Sequence, residues 1–395
     1  MKLLFLVSSL DLTQPFSATP AWWQLLKGLY EIGVEVIAAP YQGAPIESLW
    51  WRAAANPAKA HGDAFKAARD LLARVSPRRA PVERAGGGES LNDRAVRALA
   101  SRVIAPLWRD HLDRLLTREP DIDAVIVLTA PLNHLTGVAR DLIARHDKPI
   151  FYYDGDVPAS LPSMGGFNTG FRIYQGADLS EYTAFISNSA GGADELKALG
   201  ARAVHVLYYG ADPDVFSPVE VAAQDIDALF YGHGREYRAE WVEWMIRDAA
   251  AALPEARFAV RGSRLGDLGR AEMLPYLSFS KLREYACRSR INLCITRRAH
   301  ASVFASSSSR PFELASMGCC IVANPYLGVE TWFEPGKEIV VVHDRDEAIE
   351  RIGWLLRHDA ERQRIGEAAR ARLLAEHTFR HRAQQLADIV RAAAG

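Results

Sequence analysis

The sequence predicts an α/β protein made of two doubly wound domains whose parallel sheets face a common cleft. Three observations lead there. Short, unbroken apolar runs recur between turn residues, as strands buried on both faces require. Helical patterns separate these runs, the alternation that produces parallel sheets covered on both sides. The runs fall into two series joined near residue 217, and 395 residues is a natural length for two domains.

The first strand is read at LLFLV (3–7). The apolar run is short and Asp11 follows closely, so it reads as a buried strand and not as an export signal. A helix follows over PAWWQLLKGLYEIG, opened by Pro20 and closed by Gly33, with Trp22, Leu25, Leu26, Leu29 and Ile32 at helical spacing. VEVIAA (34–39) is the second strand. Residues 46–119 read mostly as a helical insertion, interrupted by SPRRAPVERAGGGESLND, a stretch of loop composition. Strands resume at AVIVL (124–128), PIFYYD (149–154), AFIS (184–187) and AVHVLY (203–208). The second series is ALFYG (228–232), RFAVRG (257–262), INLCIT (291–296), CIVAN (320–324) and IVVV (339–342). Helices at 345–357, 359–376 and 379–393 end the chain, the last with Thr378 as N-cap. The expected division is 1–215, 216–378 and a terminal helical segment 379–395.

Composition narrows the function classes. Apolar residues make up 49% of the chain and charged residues 24%, with a formal net charge of −1. No global field favours nucleic acid or an anionic membrane. No apolar run approaches the ~20 residues that span a bilayer. A cytoplasmic protein is expected. Trp22, Trp23, Trp50 and Trp51 leave peripheral contact with the inner face of a membrane open, and amphipathic core helices explain them equally well. Cys287, Cys294, Cys319 and Cys320 lack metal-ligand spacing and read as reduced, buried thiols. No metal site is expected, and the oligomeric state is not legible.

Ligands of doubly wound sheets sit beyond the carboxyl ends of the strands, and the most specific stretch, SSSSRPFELASMGCCIVANP (306–325), follows such an end. Pro311 suits the first turn of a short helix over 310–317 and Gly318 its left-handed C-cap. Ser308, Ser309 and Arg310 then surround a helix N-terminus, where free amides, hydroxyls and a guanidinium favour an anion. Glu313, one turn in, could accept from a pair of sugar hydroxyls. The alternative is plain capping, with Ser309 as N-cap and Glu313 as its partner. In the first domain, His134 follows one strand and is placed to bind a sugar hydroxyl or move a proton. Asp154 and Asp156 follow the next, where one could serve as base toward an acceptor hydroxyl. Both acids also fit ordinary turn chemistry.

FELASMGCCIVANP resembles the donor-site motif of the group-1 glycosyltransferase family, which has the GT-B fold of two Rossmann-like domains. YYGADPDVFSP (208–218) is similar to that family's interdomain hinge, and LFYGHGREYR (229–238) to its glycine-rich turn. Ala305 stands where the family's first motif glutamate falls and Tyr209 where its hinge asparagine falls. SSSRPFE fits the divergent spore-coat-type glycosyltransferase-like branch. The resemblance implies that Glu313 binds ribose hydroxyls and that Ser308, Ser309 and Arg310 face a diphosphate. It implies that Gly232 and Gly234 allow close backbone approach, that Arg235 or Arg238 supplies a phosphate cation, and that Arg297 is a further cation at the cleft. The last helix is expected to cross back to the first domain. The implied activity is transfer of a sugar from a UDP- or GDP-sugar to an acceptor glycan, lipid or small molecule, with no permanently bound cofactor. A nucleotide-sugar 2-epimerase and an inactive GT-B binding protein are the alternatives.

Overall fold

The computed structural model describes residues 1–12, 20–63, 94, 97–164, 173–233, 238–275 and 279–394. The N-terminal strands are β1 (Lys2–Ser9), β2 (Glu35–Gln42), β3 (Arg52–Ala53), β4 (Ala124–Leu128), β5 (Ile150–Asp154), β6 (Ala184–Ser187) and β7 (Val204–Val206). They form one sheet in the order β3-β2-β1-β4-β5-β6-β7. The C-terminal strands are β8 (Ile226–His233), β9 (Phe258–Ser263), β10 (Glu272–Met273), β11 (Ser289–Cys294), β12 (Ile321–Ala323) and β13 (Val340–Val341). Their order is β10-β9-β8-β11-β12-β13. All pairings are parallel. Both sheets share one wiring. The chain enters at an inner strand, steps outward, then returns to that strand's other side. The reversal falls between β1 and β4 and between β8 and β11, which is where a doubly wound sheet opens a ligand crevice.

The helices are α1 (Ala21–Glu31), α2 (Ala105–Arg118), α3 (Val138–His146), α4 (Ala193–Ala198), α5 (three joined segments, Ala239–Val242, Glu243–Asp248 and Ala249–Ala252), α6 (Phe279–Arg288), α7 (Arg298–Ser302), α8 (Ser309–Ser316), α9 (Arg345–Leu356), α10 (Asp359–Glu376) and α11 (Phe379–Ala394). Helices on both faces explain the unbroken apolar strands: Leu3, Leu4, Phe5, Leu6 and Val7 are all fully buried. Leu4 and Leu6 join the core that holds Trp108, whereas Leu3, Phe5 and Val7 join the core under α1 and α11. The two-residue strands β3 and β10 are too short to show a pattern in sequence and were not expected. Much of the expected insertion, including its glycine-rich stretch, lies outside the described residues.

The terminal helix α11 packs on α1 of the first domain. A Cβ at Gly28 would lie 2.7 Å from the Phe379 carbonyl oxygen, so the crossing requires glycine there. Thr378 caps α11: its Oγ1 accepts from the His381 amide at 3.3 Å and sits 2.7 Å from His381 Nδ1. Lys27 ties α1 to the segment joining the domains through Asp212 and Asp214, each at 2.8 Å. Cys294, Cys319 and Cys320 are buried, Cys287 is half-buried, and all four are free thiols. Among the described residues, no helix is long and apolar enough to cross a membrane.

Burial also sets the response to acid. His377 accepts at Nδ1 from Arg382 at 2.7 Å, and burial, reinforced by the Arg382 charge, pushes the imidazole down to about 3. The unfolded chain binds this proton near pH 6.5 and the fold refuses it until far lower. Its contribution is therefore complete above pH 6.5 and is lost as pH falls toward 3, a range worth on the order of 5 kcal/mol. His377→Gln, which keeps an acceptor for Arg382, should flatten the pH dependence of urea-unfolding stability between pH 6.5 and 4. An unchanged slope would refute this origin.

Candidate active site

The serine run splits into two functions. Ser306 and Ser307 staple the domains. Ser306 Oγ lies 2.6 Å from Ser189 Oγ, and Ser307 Oγ donates to the Asn188 carbonyl at 2.9 Å. Asn188 Nδ2 returns a bond to the Ser307 carbonyl at 2.8 Å, and the Tyr209 amide donates to Ser307 Oγ at 2.9 Å. Residues 188, 189, 306 and 307 are all within a percent of full burial. Asn188 Oδ1 apart, these polar groups satisfy one another across the seam, as burial demands. Ala305, at the place of the family's first motif glutamate, is fully buried with φ 45° and does not line the cleft.

Ser308 and Ser309 open α8 beside the seam. Ser308 occupies the N-cap position, but its side chain makes no capping bond to the helix. Arg310 in the first turn donates to the Tyr231 carbonyl at the end of β8, and its guanidinium carbon lies 3.2 Å from the Tyr231 ring centroid. Glu313 lies behind it. The carboxylate is 1% exposed, with Oε2 at 3.5 Å from Arg310 Nε and Oε1 without any hydrogen-bond partner. Burial pushes its pKa up, opposed by the Arg310 charge and by hydrogen bonds from Arg310 and Ser309. An orphaned buried carboxylate oxygen is costly unless a donor reaches it, and a ligand hydroxyl supplies that donor. The Tyr231 hydroxyl nearby is likewise buried and unpartnered.

These groups border a cleft of about 520 Å³ between the two sheets. On the side of the C-terminal sheet it is lined by Gly232, His233, Arg238, Ser263, Thr296, Arg297, Ser308, Ser309 and Arg310. A Cβ at Gly262 would fall 1.7 Å from the Gly232 carbonyl oxygen, so only glycine lets β8 and β9 end this close together. His233 Nδ1 meets Ser263 Oγ at 2.6 Å, and Arg238 donates to the His233 carbonyl at 2.8 Å.

The opposite wall is Gly155, Asp156 and Tyr209. Tyr209 donates its hydroxyl to the Gly155 carbonyl at 2.6 Å and so fixes that turn. Asp156 meets the Arg297 guanidinium across the cleft. Asp154 stays beneath: fully buried, it accepts from Ser160 Oγ at 2.5 Å, from the Tyr174 hydroxyl and from the Asp156 amide at 2.9 Å. Its position is that of a brace for the turn, and Asp156 is the acid that reaches the surface of the cleft. His134 also stays out of the lining. Its Nδ1 sits 2.7 Å from the Tyr41 hydroxyl, and burial pushes its pKa down to about 4.

Of the residues singled out from sequence, Asp156, Gly232, Arg238, Arg297, Ser308, Ser309 and Arg310 are gathered on one cleft, with Glu313 directly behind. Asp154 and His134 are not among its lining, and Gly234 and Arg235 lie outside the described residues. Sequence reasoning passed over His300, a lining residue only 1% exposed, and Tyr231. His300 sits in the short helix α7, three residues after Arg297, which was the only signal available.

Residues 235–388 match the protein family described as glycosyl transferase-like. That match spans 154 of the 395 residues, all of them in the C-terminal half of the chain. The whole chain also superposes on solved GT-B structures. A sucrose-phosphate synthase from Thermosynechococcus elongatus aligns with TM-score 0.64 at 13% identity, covering 99% of this chain and 98% of that one. HepE of Anabaena, solved with UDP-glucose, aligns at 0.58 and 14% identity over 99% and 100% of the two chains. The trehalose-6-phosphate protein of E. coli, bound to UDP-2-fluoro glucose, aligns at 0.58 and 11% over 99% of each. At these identities the likeness establishes the GT-B fold. Among curated protein sequences, none matches this chain.

Proposed function

We propose that this protein is a glycosyltransferase that moves a sugar from a nucleoside diphosphate sugar to an acceptor hydroxyl. The observation that carries the reading is the α8 tip at the cleft: amides and hydroxyls of Ser308 and Ser309, the Arg310 cation, and a buried Glu313 with one oxygen unspent. Phosphate oxygens suit the first group and ribose hydroxyls the second. That similar folds have been solved with UDP and UDP-glucose supports a uridine donor.

In this reading the anomeric carbon–oxygen bond breaks with its electron pair passing to the diphosphate, while the acceptor oxygen bonds to that carbon. Arg310, Arg297 and the helix tip meet the charge that develops on the departing diphosphate, the position where fixed donors lower a barrier most. The acceptor proton needs a base on the opposite wall, and Asp156 is the carboxylate exposed there. Cell-surface polysaccharide, glycolipid or glycoconjugate synthesis is the setting proposed.

A thermal-shift panel of uridine, guanosine, adenosine and cytidine diphosphates tests the reading. A fitting diphosphate at a hundredfold excess over its Kd should stabilise the protein by ~2.7 kcal/mol. Uridine or guanosine diphosphate should do so and the matching monophosphate should do less. Indifference to every diphosphate would sink the proposal.

A further inference from the structure

We infer that Asp156 and Arg297 form an interlock that fills the cleft in order: a diphosphate draws Arg297 away from Asp156, and only then is the Asp156 carboxylate open to an acceptor hydroxyl. The inference rests on the donor reading above and adds regulation to that site.

The pair spans the cleft. Asp156 belongs to the N-terminal wall and Arg297 to the segment leaving β11, 141 residues away in sequence. Their side chains keep 24% and 21% of their exposure, so each is open to exchange its partner. While they are joined, Asp156, the one carboxylate on the acceptor wall among the described residues, is masked by a cation and accepts poorly from a neutral hydroxyl.

Two supports hold the pair in readiness. On the acid's side, the Asp156 amide is tethered to Asp154 Oδ1 at 2.9 Å, and Asp154 is itself fixed by Ser160 and Tyr174. Asp156 therefore keeps its place when the cation leaves. On the cation's side stands His300, with Nε2 3.3 Å from Arg297 Nη2 and 3.9 Å from Asp156 Oδ1. Burial and the charges of Arg297 and Arg238 keep this imidazole neutral. It accepts from Arg297 at Nε2, which assigns its proton to Nδ1. His300 thus steadies the guanidinium without neutralising it. A guanidinium offers five donors in a plane, so one edge can stay on His300 while the other changes anion. A diphosphate carries more charge than one carboxylate and enters the cleft that Arg297 lines with Ser308, Ser309 and Arg310.

Competition for one cation gives a coupling that binding alone can read, because linkage is reciprocal. Uridine diphosphate, or guanosine diphosphate if that is the one that stabilises the wild type, is titrated by calorimetry into wild type, Asp156→Asn, Arg297→Ala and the double variant. Removing the competing carboxylate should tighten the diphosphate about fivefold or more. Arg297→Ala should weaken it about tenfold. The double variant should match Arg297→Ala within about twofold, since Asp156 acts only through Arg297. Asp156→Ser, judged in the same way, guards against a folding defect particular to asparagine. A diphosphate bound equally well or less well by both Asp156 variants overturns the interlock and leaves the donor site standing, with the pair serving as a mere latch. A gain that persists without Arg297 also overturns it. If the wild type binds no nucleoside diphosphate, the donor reading fails and the interlock fails with it.

Discussion

Arg310→Ala lowers kcat/KM for donor consumption by about two to three orders of magnitude. The guanidinium is fixed before any ligand arrives, by the Tyr231 carbonyl and by the face of the Tyr231 ring. A cation held in advance needs no reorganisation as charge builds on the departing diphosphate, and this is where such groups contribute most. Arg310→Lys keeps the charge but loses the planar fork and the stacking, so it should recover only part of the loss. The fold should weaken as well. Without Arg310 the buried Glu313 carboxylate loses the cation 3.5 Å away. Steady-state rates of donor consumption, read beside the melting temperatures of both variants, separate the two effects. Rates within threefold of wild type in Arg310→Ala would remove the cation from the mechanism.

Glu313→Gln should produce two effects of opposite sign. The nucleotide loses a charged acceptor, with each such bond worth ~1.5–3 kcal/mol, so diphosphate affinity falls about 10- to 100-fold. The empty protein becomes more stable, by on the order of 1 kcal/mol at pH 7, because the variant no longer buries an under-satisfied charge. The direction of the pH dependence follows from the raised pKa. The penalty for the buried carboxylate is complete above its folded pKa. It is relieved as pH falls through that value, and gone below the unfolded value near 4.3. The stability advantage of Glu313→Gln should therefore shrink on acidification. Chemical denaturation at pH 7 and pH 4.5, with and without diphosphate, checks all of this. A variant that binds as wild type, or is less stable when empty, would count against the role assigned to Glu313.

What was legible in the sequence was what local chemistry dictates. Pro311 and Gly318 bracket α8 because one needs no amide partner and the other takes φ +71°, so the helix at 309–316 could be placed to within a residue. Thr378 signalled the cap of α11 by its type and position. Runs such as LLFLV announced strands buried on both faces. What stayed hidden depends on partners far along the chain. Nothing near Ser306 or Ser307 indicates Ser189 and Asn188, 117 and 119 residues earlier. Asp154 and Asp156 look equivalent in YYDGDV, yet the turn sends one inward to Tyr174 and the other to Arg297. His300 carries no signal of its own in the sequence, and only the fold of α7 sets it against the cleft. His134 looked catalytic by its place after β4, and the packing of Tyr41 against it explains why it stays away.

The seam at Ser306 and Ser307 has a mechanical consequence. Two lobes stitched beside the cleft by short, shielded bonds cannot slide past each other without stripping them. Sliding is thereby the costliest relative motion open to the two lobes. The two walls of the cleft are held in lateral alignment, as the blades of shears are by their rivet.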